Sequence, residues 1–165
     1  MILQVSLGLL KCHNILRTRF MKELSEVNLE LENEIISIIE QGNGFDDNGE
    51  YGEALKKYDE AYNKLPEPKL KWEMISAWLA GCYYNAYFGL RDFHKAKEWA
   101  VLELKCRSSD IDVAPYMDLG MASYELNSLE ESFGYFEVVY NYGKERPFRE
   151  YPKKYYDFFI GKINK

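Results

Sequence analysis

The feature that most constrains this chain is a passage it writes three times. Residues 42–66 read GNGFDDNGEYGEALKKYDEAYNKLP, residues 84–106 YNAYFGLRDFHKAKEWAVLELKC, and residues 120–143 GMASYELNSLEESFGYFEVVYNYG. Each runs through helix-forming residues to a break, at Asn48-Gly49-Glu50, Arg91-Asp92 or Asn127-Ser128. An aromatic or leucine follows (Tyr51, Phe93, Leu129), then a small residue three places on (Ala54, Ala96, Ser132). Self-similarity of this kind marks a stack of like units, none of which buries its apolar face alone. Gly42, Ala54, Gly120 and Ser132 are small where two antiparallel helices would approach closely. Gly49 can take a positive φ just past a helix end. Tyr58 and Ala61 lie four and seven residues beyond Ala54 and share its helix face. Pro66-Glu67-Pro68 ends the second helix, because proline has no N–H to donate and its ring clashes with the preceding turn.

This pattern resembles the tetratricopeptide repeat. In that family an early helix carries a small residue followed three places later by an aromatic, here Gly42 with Phe45. A turn such as Gly-x-Tyr follows, here Gly49-Glu50-Tyr51, then Ala54, Tyr58, Ala61 and a proline, Pro66. The second copy keeps Tyr87, Phe93 and Ala96 but has bulky Tyr84 at the small site and Arg91 for glycine. The third keeps Leu119-Gly120 and Leu129, with Ser123 for the aromatic and Ser132 for alanine. The resemblance covers about residues 35–142. It implies an all-α antiparallel helix-hairpin solenoid of about three repeats. The spacing departs from the family's period of about 34 residues: Gly49 to Arg91 is 42 residues and Arg91 to Asn127 is 36. The long gap contains KLKWEMIS, residues 69–76, with no helix breaker, so the helix beginning near Lys69 reads as two turns longer than usual, striped by Trp72, Ile75, Trp78 and Leu79.

The expected helices are 2–18, 22–47, 51–65, 69–89, 93–106, 112–126, 129–142 and 152–163. Residues 1–20 form an N-terminal extension, and 21–165 the repeat domain. Tyr155, Phe158, Phe159 and Ile163 recur at near-helical spacing, which makes 152–163 a helix that caps the apolar end of the stack. The apolar run 1–10 is too short to span a bilayer and lacks the basic start and cleavage site of a secretory signal. Residues 1–20 therefore read as an extra helix packed on the domain, or as residues ahead of a start at Met21.

Charge is distributed unevenly over the 165 residues and their net −6. Residues 1–20 hold three bases and no acid, residues 22–60 twelve acids against three lysines, and residues 144–165 seven bases against three acids. Nucleic acid is an unsuitable partner, since neutralising phosphates needs a basic face. Cys12, Cys82 and Cys106 cannot all pair within one chain, which favours a reducing compartment, the cytoplasm. Cys82 and Cys106 read as small buried residues, and Cys12-His13 lacks further metal ligands.

Asp46, Asn48 and Glu50 resemble the start of a calcium loop. That loop needs glycine at its sixth place and glutamate at its twelfth, where this chain has Tyr51 and Lys57. No metal and no cofactor is expected, and no phosphate-cradling glycine loop appears. His94 has no paired nucleophile in the sequence pattern and reads as an exposed residue at a helix start, so no enzyme is expected.

In tetratricopeptide arrays the first helix of each pair lines the concave side. The resemblance therefore places Ile39, Asn43, Asp46 and Asp47 there from the first pair, with Trp78, Asn85 and Phe88 from the second. The third contributes Met117, Asp118, Met121, Tyr124 and Glu125. The competing reading is that Trp78, Phe88 and Met117 only pack against terminal helices. Asn43 and Asn85 match asparagines with which chaperone-binding members hold a peptide carboxylate. The lysine and arginine sites of those members are here Ile39, Ala114 and Asp118, so an acidic groove would repel a carboxylate and favour a basic protein or peptide. Trp78, Phe88 and Tyr124 are its candidate anchors. KLPEPKLKWE, YFGLRDFHKA and YPKKYYDFFIGKI together look like small stand-alone bacterial tetratricopeptide proteins, some of which are taken to be immunity proteins of cognate toxins. A further alternative is a structural subunit whose groove residues 1–20 already fill.

Overall fold

The computed structural model describes residues 22–106 and 112–164. Over these the chain is helical: α1 Ser25–Asp47, α2 Tyr51–Lys64, α3 Glu73–Gly89, α4 Phe93–Cys106, α5 Ala114–Glu125, α6 Leu129–Gly143 and α7 Lys153–Ile163, with short 3₁₀ turns at Lys69–Lys71 and Arg146–Phe148. No strand occurs among the described residues. The helix expected at 2–18, and Cys12 with His13, lie outside them.

Each helix packs on the next in the chain, α1 on α2 through to α6 on α7. The first helices of the pairs also touch in succession, α1 with α3 and α3 with α5.

Three turns make the pairs, and they share one backbone conformation. Gly49, Arg91 and Asn127 have φ of 76°, 62° and 59°. In each, the next N–H reaches back five residues: Glu50 to the Phe45 carbonyl, Asp92 to Tyr87 and Ser128 to Ser123, all at 2.9 Å. This is the Schellman closure, which satisfies carbonyls a helix end leaves open. The repeat thus exists in the backbone, including where glycine is replaced by Arg91 and Asn127.

Interhelix packing obeys a volume rule. A Cβ on Gly42 would stand 2.4 Å from the Tyr58 ring, and one on Gly120 2.4 Å from the Phe136 ring. In the middle pair the sizes are exchanged: Tyr84 takes the glycine's place and Ala100 the ring's, both buried in one cluster. The bulky Tyr84 at the small site is therefore compensated across the hairpin. Ser132, standing for alanine, uses its hydroxyl to bond the Gly120 carbonyl at 2.8 Å.

Two expected boundaries are corrected. The helix expected from residue 22 is interrupted at Asn28 (φ −156°, ψ 84°). The Asn28 side-chain oxygen Oδ1 accepts the Leu31 N–H at 3.0 Å, as an N-cap does, so the continuous helix starts there. The helix expected from Lys69 starts at Glu73. Trp72 is extended because Lys22 bridges it on both sides, donating to the Lys71 carbonyl at 2.9 Å and accepting from the Glu73 N–H at 3.0 Å. The Trp72 indole is buried and donates to the Pro66 carbonyl at 2.8 Å. Lys69 turns back to bond the Tyr62 and Leu65 carbonyls at 2.9 and 3.0 Å, closing the C-terminus of α2.

At the other end α7 lies on α6 through rings. Phe159 meets Phe133, Tyr140 and Phe148 at centroid distances of 5.2, 5.1 and 5.8 Å. The connection to it passes through Lys144, at φ 54° and ψ −130°, a conformation that suits glycine. Lys144→Gly is expected to raise stability by about 1–2 kcal/mol. A thermal melt that does not move upward would show that the backbone there is unstrained.

Candidate functional site

A hollow of about 590 Å³ opens between the first helices of the three pairs. From α1 it receives Asn43, Asp46 and Asp47, from α3 Trp78, Tyr84, Asn85 and Phe88, and from α5 Asp118 and Met121. Eight of the residues expected at the concave side are thus brought together. Ile39 is not among them: it is fully buried between α1 and its neighbours, because its side chain falls on the face that meets the core. Met117 is buried as well. Tyr124 and Glu125 are engaged by α7. The Tyr124 ring packs edge-on against Tyr155 and Phe158, while Glu125 bonds Lys154 and accepts the Tyr155 hydroxyl at 2.8 Å. The capping helix occupies the stretch of groove that those residues would otherwise line.

The Asn43 side-chain oxygen Oδ1 faces inward, accepting the Tyr58 hydroxyl at 2.9 Å and the Cys82 thiol at 3.3 Å. Its amide nitrogen is what remains for the hollow. Burial, and then the negative charge of Asp46, push the Cys82 thiol up to about 12, so it stays protonated and donates rather than attacks.

The α1 end of the hollow is acidic because a helix ends there. Asp46 and Asp47 are the last residues of α1, and Asn48 turns back to bond the Gly44 carbonyl at 2.9 Å. Burial and then the neighbouring charge of Asp47 raise the Asp46 carboxyl above the ordinary range. Its Oδ1 is buried with no hydrogen-bond partner. Among the described residues no group of three or more His, Cys, Asp or Glu is arranged to hold a metal ion.

The other end contains residues that sequence reasoning did not place there: Tyr84, Glu103 and Tyr151. Where the outer pairs have Ile39 and Met117, the middle pair has Gly81; where they have Ala61 and Val139, it has Glu103. The carboxylate fills the vacated space, its atoms 3.4–3.5 Å from where a Gly81 Cβ would stand. A sequence signal for Glu103 existed: it is a charge on the apolar stripe of Ala96 and Ala100. Tyr84 is 2% exposed, and its hydroxyl has no hydrogen-bond partner. Burial, then the charge of Asp118, hold that hydroxyl firmly protonated, and the same two causes push Tyr151 up to about 12. Tyr151, just ahead of α7, has no counterpart in the repeat, and no pattern pointed to it.

Among the described residues the lining carries four carboxylates, Asp46, Asp47, Glu103 and Asp118, and no lysine, arginine or histidine. His94 is exposed at the start of α4, away from this lining. Among the described residues no helix is long and apolar enough to cross a membrane. No family model matches the chain, and no curated protein searched matches it.

Proposed function

We propose that the chain is a non-enzymatic protein-interaction module: three tetratricopeptide-like hairpins whose hollow binds a basic protein or peptide. The observation that carries this is the lining, four carboxylates among Trp78, Tyr84, Phe88 and Tyr151 with no basic side chain among the described residues. Such a surface attracts cations, offers ring faces to them and repels anionic partners. It also carries a cost in stability that packing does not require. The raised carboxyl of Asp46 means that its charged form is disfavoured by folding. Its contribution is favourable below the carboxylate range and is lost as pH rises through the raised folded value.

Two effects of opposite sign are expected from Asp46→Asn. Stability rises at neutral pH by at most about 1 kcal/mol after solvent screening, since a partly exposed, unpaired carboxylate is removed. Affinity for a basic peptide falls. Thermal melts and calorimetric titration with an arginine- and lysine-containing peptide read the two separately. Asp46→Lys combined with Asp118→Lys is expected to abolish the binding. Capture unchanged in that double variant rules out the acidic hollow.

A narrower form of this reading is an immunity protein that covers a basic toxin domain. An adjacent toxin reading frame whose product is neutralised on co-expression supports it. In the self-filled alternative residues 1–20 occupy the hollow, and binding emerges only after truncation to Met21.

A further inference from the structure

The geometry points to a docking face for residues 15–21 of this chain, formed by Leu29, Met74 and their neighbours around the Lys22–Trp72 bridge. Among the described residues nine large apolar side chains are exposed, and four of them, Val27, Leu29, Leu70 and Met74, belong to this junction. Leu70 and Met74 each stand two residues from Trp72, and Val27 and Leu29 follow Lys22 by five and seven. Hydrogen bonds tie the two segments together. The Met74 N–H donates to Glu23 Oε2 at 3.4 Å, and the Ser25 N–H to Glu32 Oε2 at 2.6 Å. Leu29 lies one turn ahead of Glu32 on the same face of α1. The helices that carry Leu29 and Met74, α1 and α3, are in contact. A helical stack presents an apolar surface at each end. The rings of α7 cover one end, whereas the described residues leave these four side chains open.

The occupant follows from where the chain enters and from charge. The Lys22 backbone is fixed between Lys71 and Glu73, so the stretch Ile15-Leu16-Arg17-Thr18-Arg19-Phe20-Met21 is delivered to this face by the chain itself. Docking then costs only the closure of a short loop. Ile15, Leu16, Phe20 and Met21 supply apolar surface, and Arg17 and Arg19 supply positive charge, while residues 1–21 hold no acid. The face is negative. Glu32 is 5% exposed, and no lysine or arginine among the described residues pairs with it. Burial raises the Glu23 carboxyl, the Met74 N–H lowers it, and the negative charges of Glu73, Glu32 and Glu26 raise it further, for a net upward shift. Arg19 and Arg17 precede Lys22 by three and five residues, at most about 11 and 18 Å of extended chain. A guanidinium held there relieves the mutual repulsion of those carboxylates. This docking does not depend on what the hollow binds.

Substitutions in the full chain test it. Leu29→Gln with Met74→Gln alters the face, and Ile15→Gln with Phe20→Gln alters the segment. Glutamine keeps good helix propensity, so exposed positions with nothing on them tolerate it. Each pair of changes is expected to lower the Tm by about 4 °C. All four together should lower it no further than one pair, since both pairs remove the same contact. Trypsin should cleave after Arg17 and Arg19 at least about tenfold more slowly in the unaltered protein than in a free peptide of residues 10–24, and the face pair should restore the peptide's rate. An unchanged Tm in the face pair, or cleavage of the unaltered protein at the peptide's rate, overturns the docking. Additive losses overturn it as well, because face and segment then pack against different things. A loss in the face pair that tracks a dimer in ultracentrifugation gives the face to a second copy and also overturns it. Calorimetry with an arginine- and lysine-containing peptide separates this face from the hollow: its affinity is expected to be equal in the segment pair and the unaltered protein. A rise of about tenfold in the segment pair puts the segment in the hollow and overturns the docking. Absence of peptide binding with the face–segment coupling intact supports the docking and removes the reading of the hollow.

Discussion

Gly120→Tyr is expected to destabilise the protein by more than about 3 kcal/mol, and Phe136→Ala by about 3–5 kcal/mol. Made together, the two should cost far less than their sum. The reason is visible in the molecule. Gly120 has no side chain because the Phe136 ring stands 2.4 Å from where its Cβ would be. One helical pair earlier the same two positions hold Tyr84 and Ala100, with the ring on the opposite helix and both residues buried. The double variant copies that arrangement into the third pair. An interaction energy of at least about 2 kcal/mol in a double-mutant cycle is therefore expected. Urea unfolding measures it, and strictly additive losses would falsify the volume rule. The Ser132 hydroxyl bonds the backbone carbonyl of Gly120, so this link is available whichever residue carries the ring.

Phe159→Ala is expected to cost about 3–5 kcal/mol, because the ring is fully buried and its removal leaves a cavity among Phe133, Tyr140 and Phe148. Tyr155→Phe in the same helix should cost only about 1 kcal/mol, the loss of one hydroxyl bond to Glu125. The contrast says that rings, not polar links, hold α7 in place. The polar link has its own signature. Burial raises the Glu125 carboxyl, but the hydrogen bonds from Lys154 and Tyr155 outweigh it, and the net shift is downward. The stabilisation is therefore present above the unfolded carboxylate value, about 4.3, and is lost as pH falls through the lower folded value. The stabilities of the unaltered protein and Glu125→Gln should converge in acid and separate at neutral pH. If Phe159→Ala melts with the parent protein, α7 is not part of the cooperative unit.

The hairpins were legible because their causes are local. A break, an aromatic and a small residue at fixed offsets state where a helix ends and where its neighbour can approach. The equal backbone of the three turns followed even at Arg91 and Asn127, where glycine was missing. The acidic end of the hollow was equally legible, since Asp46 and Asp47 close α1 and Trp78, Asn85 and Phe88 share one face of α3. Local pattern was a poor guide where a distant segment intervenes. Trp72 reads as helical, yet Lys22 holds it extended from 50 residues away. Tyr124 and Glu125 read as groove residues, yet α7 covers them.

By itself, then, the sequence determined the number and order of the hairpins, the close approach at Gly42 and Gly120, and the acidity of one helix end. Each depends on spacing within a single helix or turn. Only the tertiary structure decided that Tyr84 is answered by Ala100, that Glu103 enters the space left by Gly81, and that Tyr151 joins them. Volume and charge are balanced across helices, between residues far apart in the chain, and that balance exists only once the helices have met.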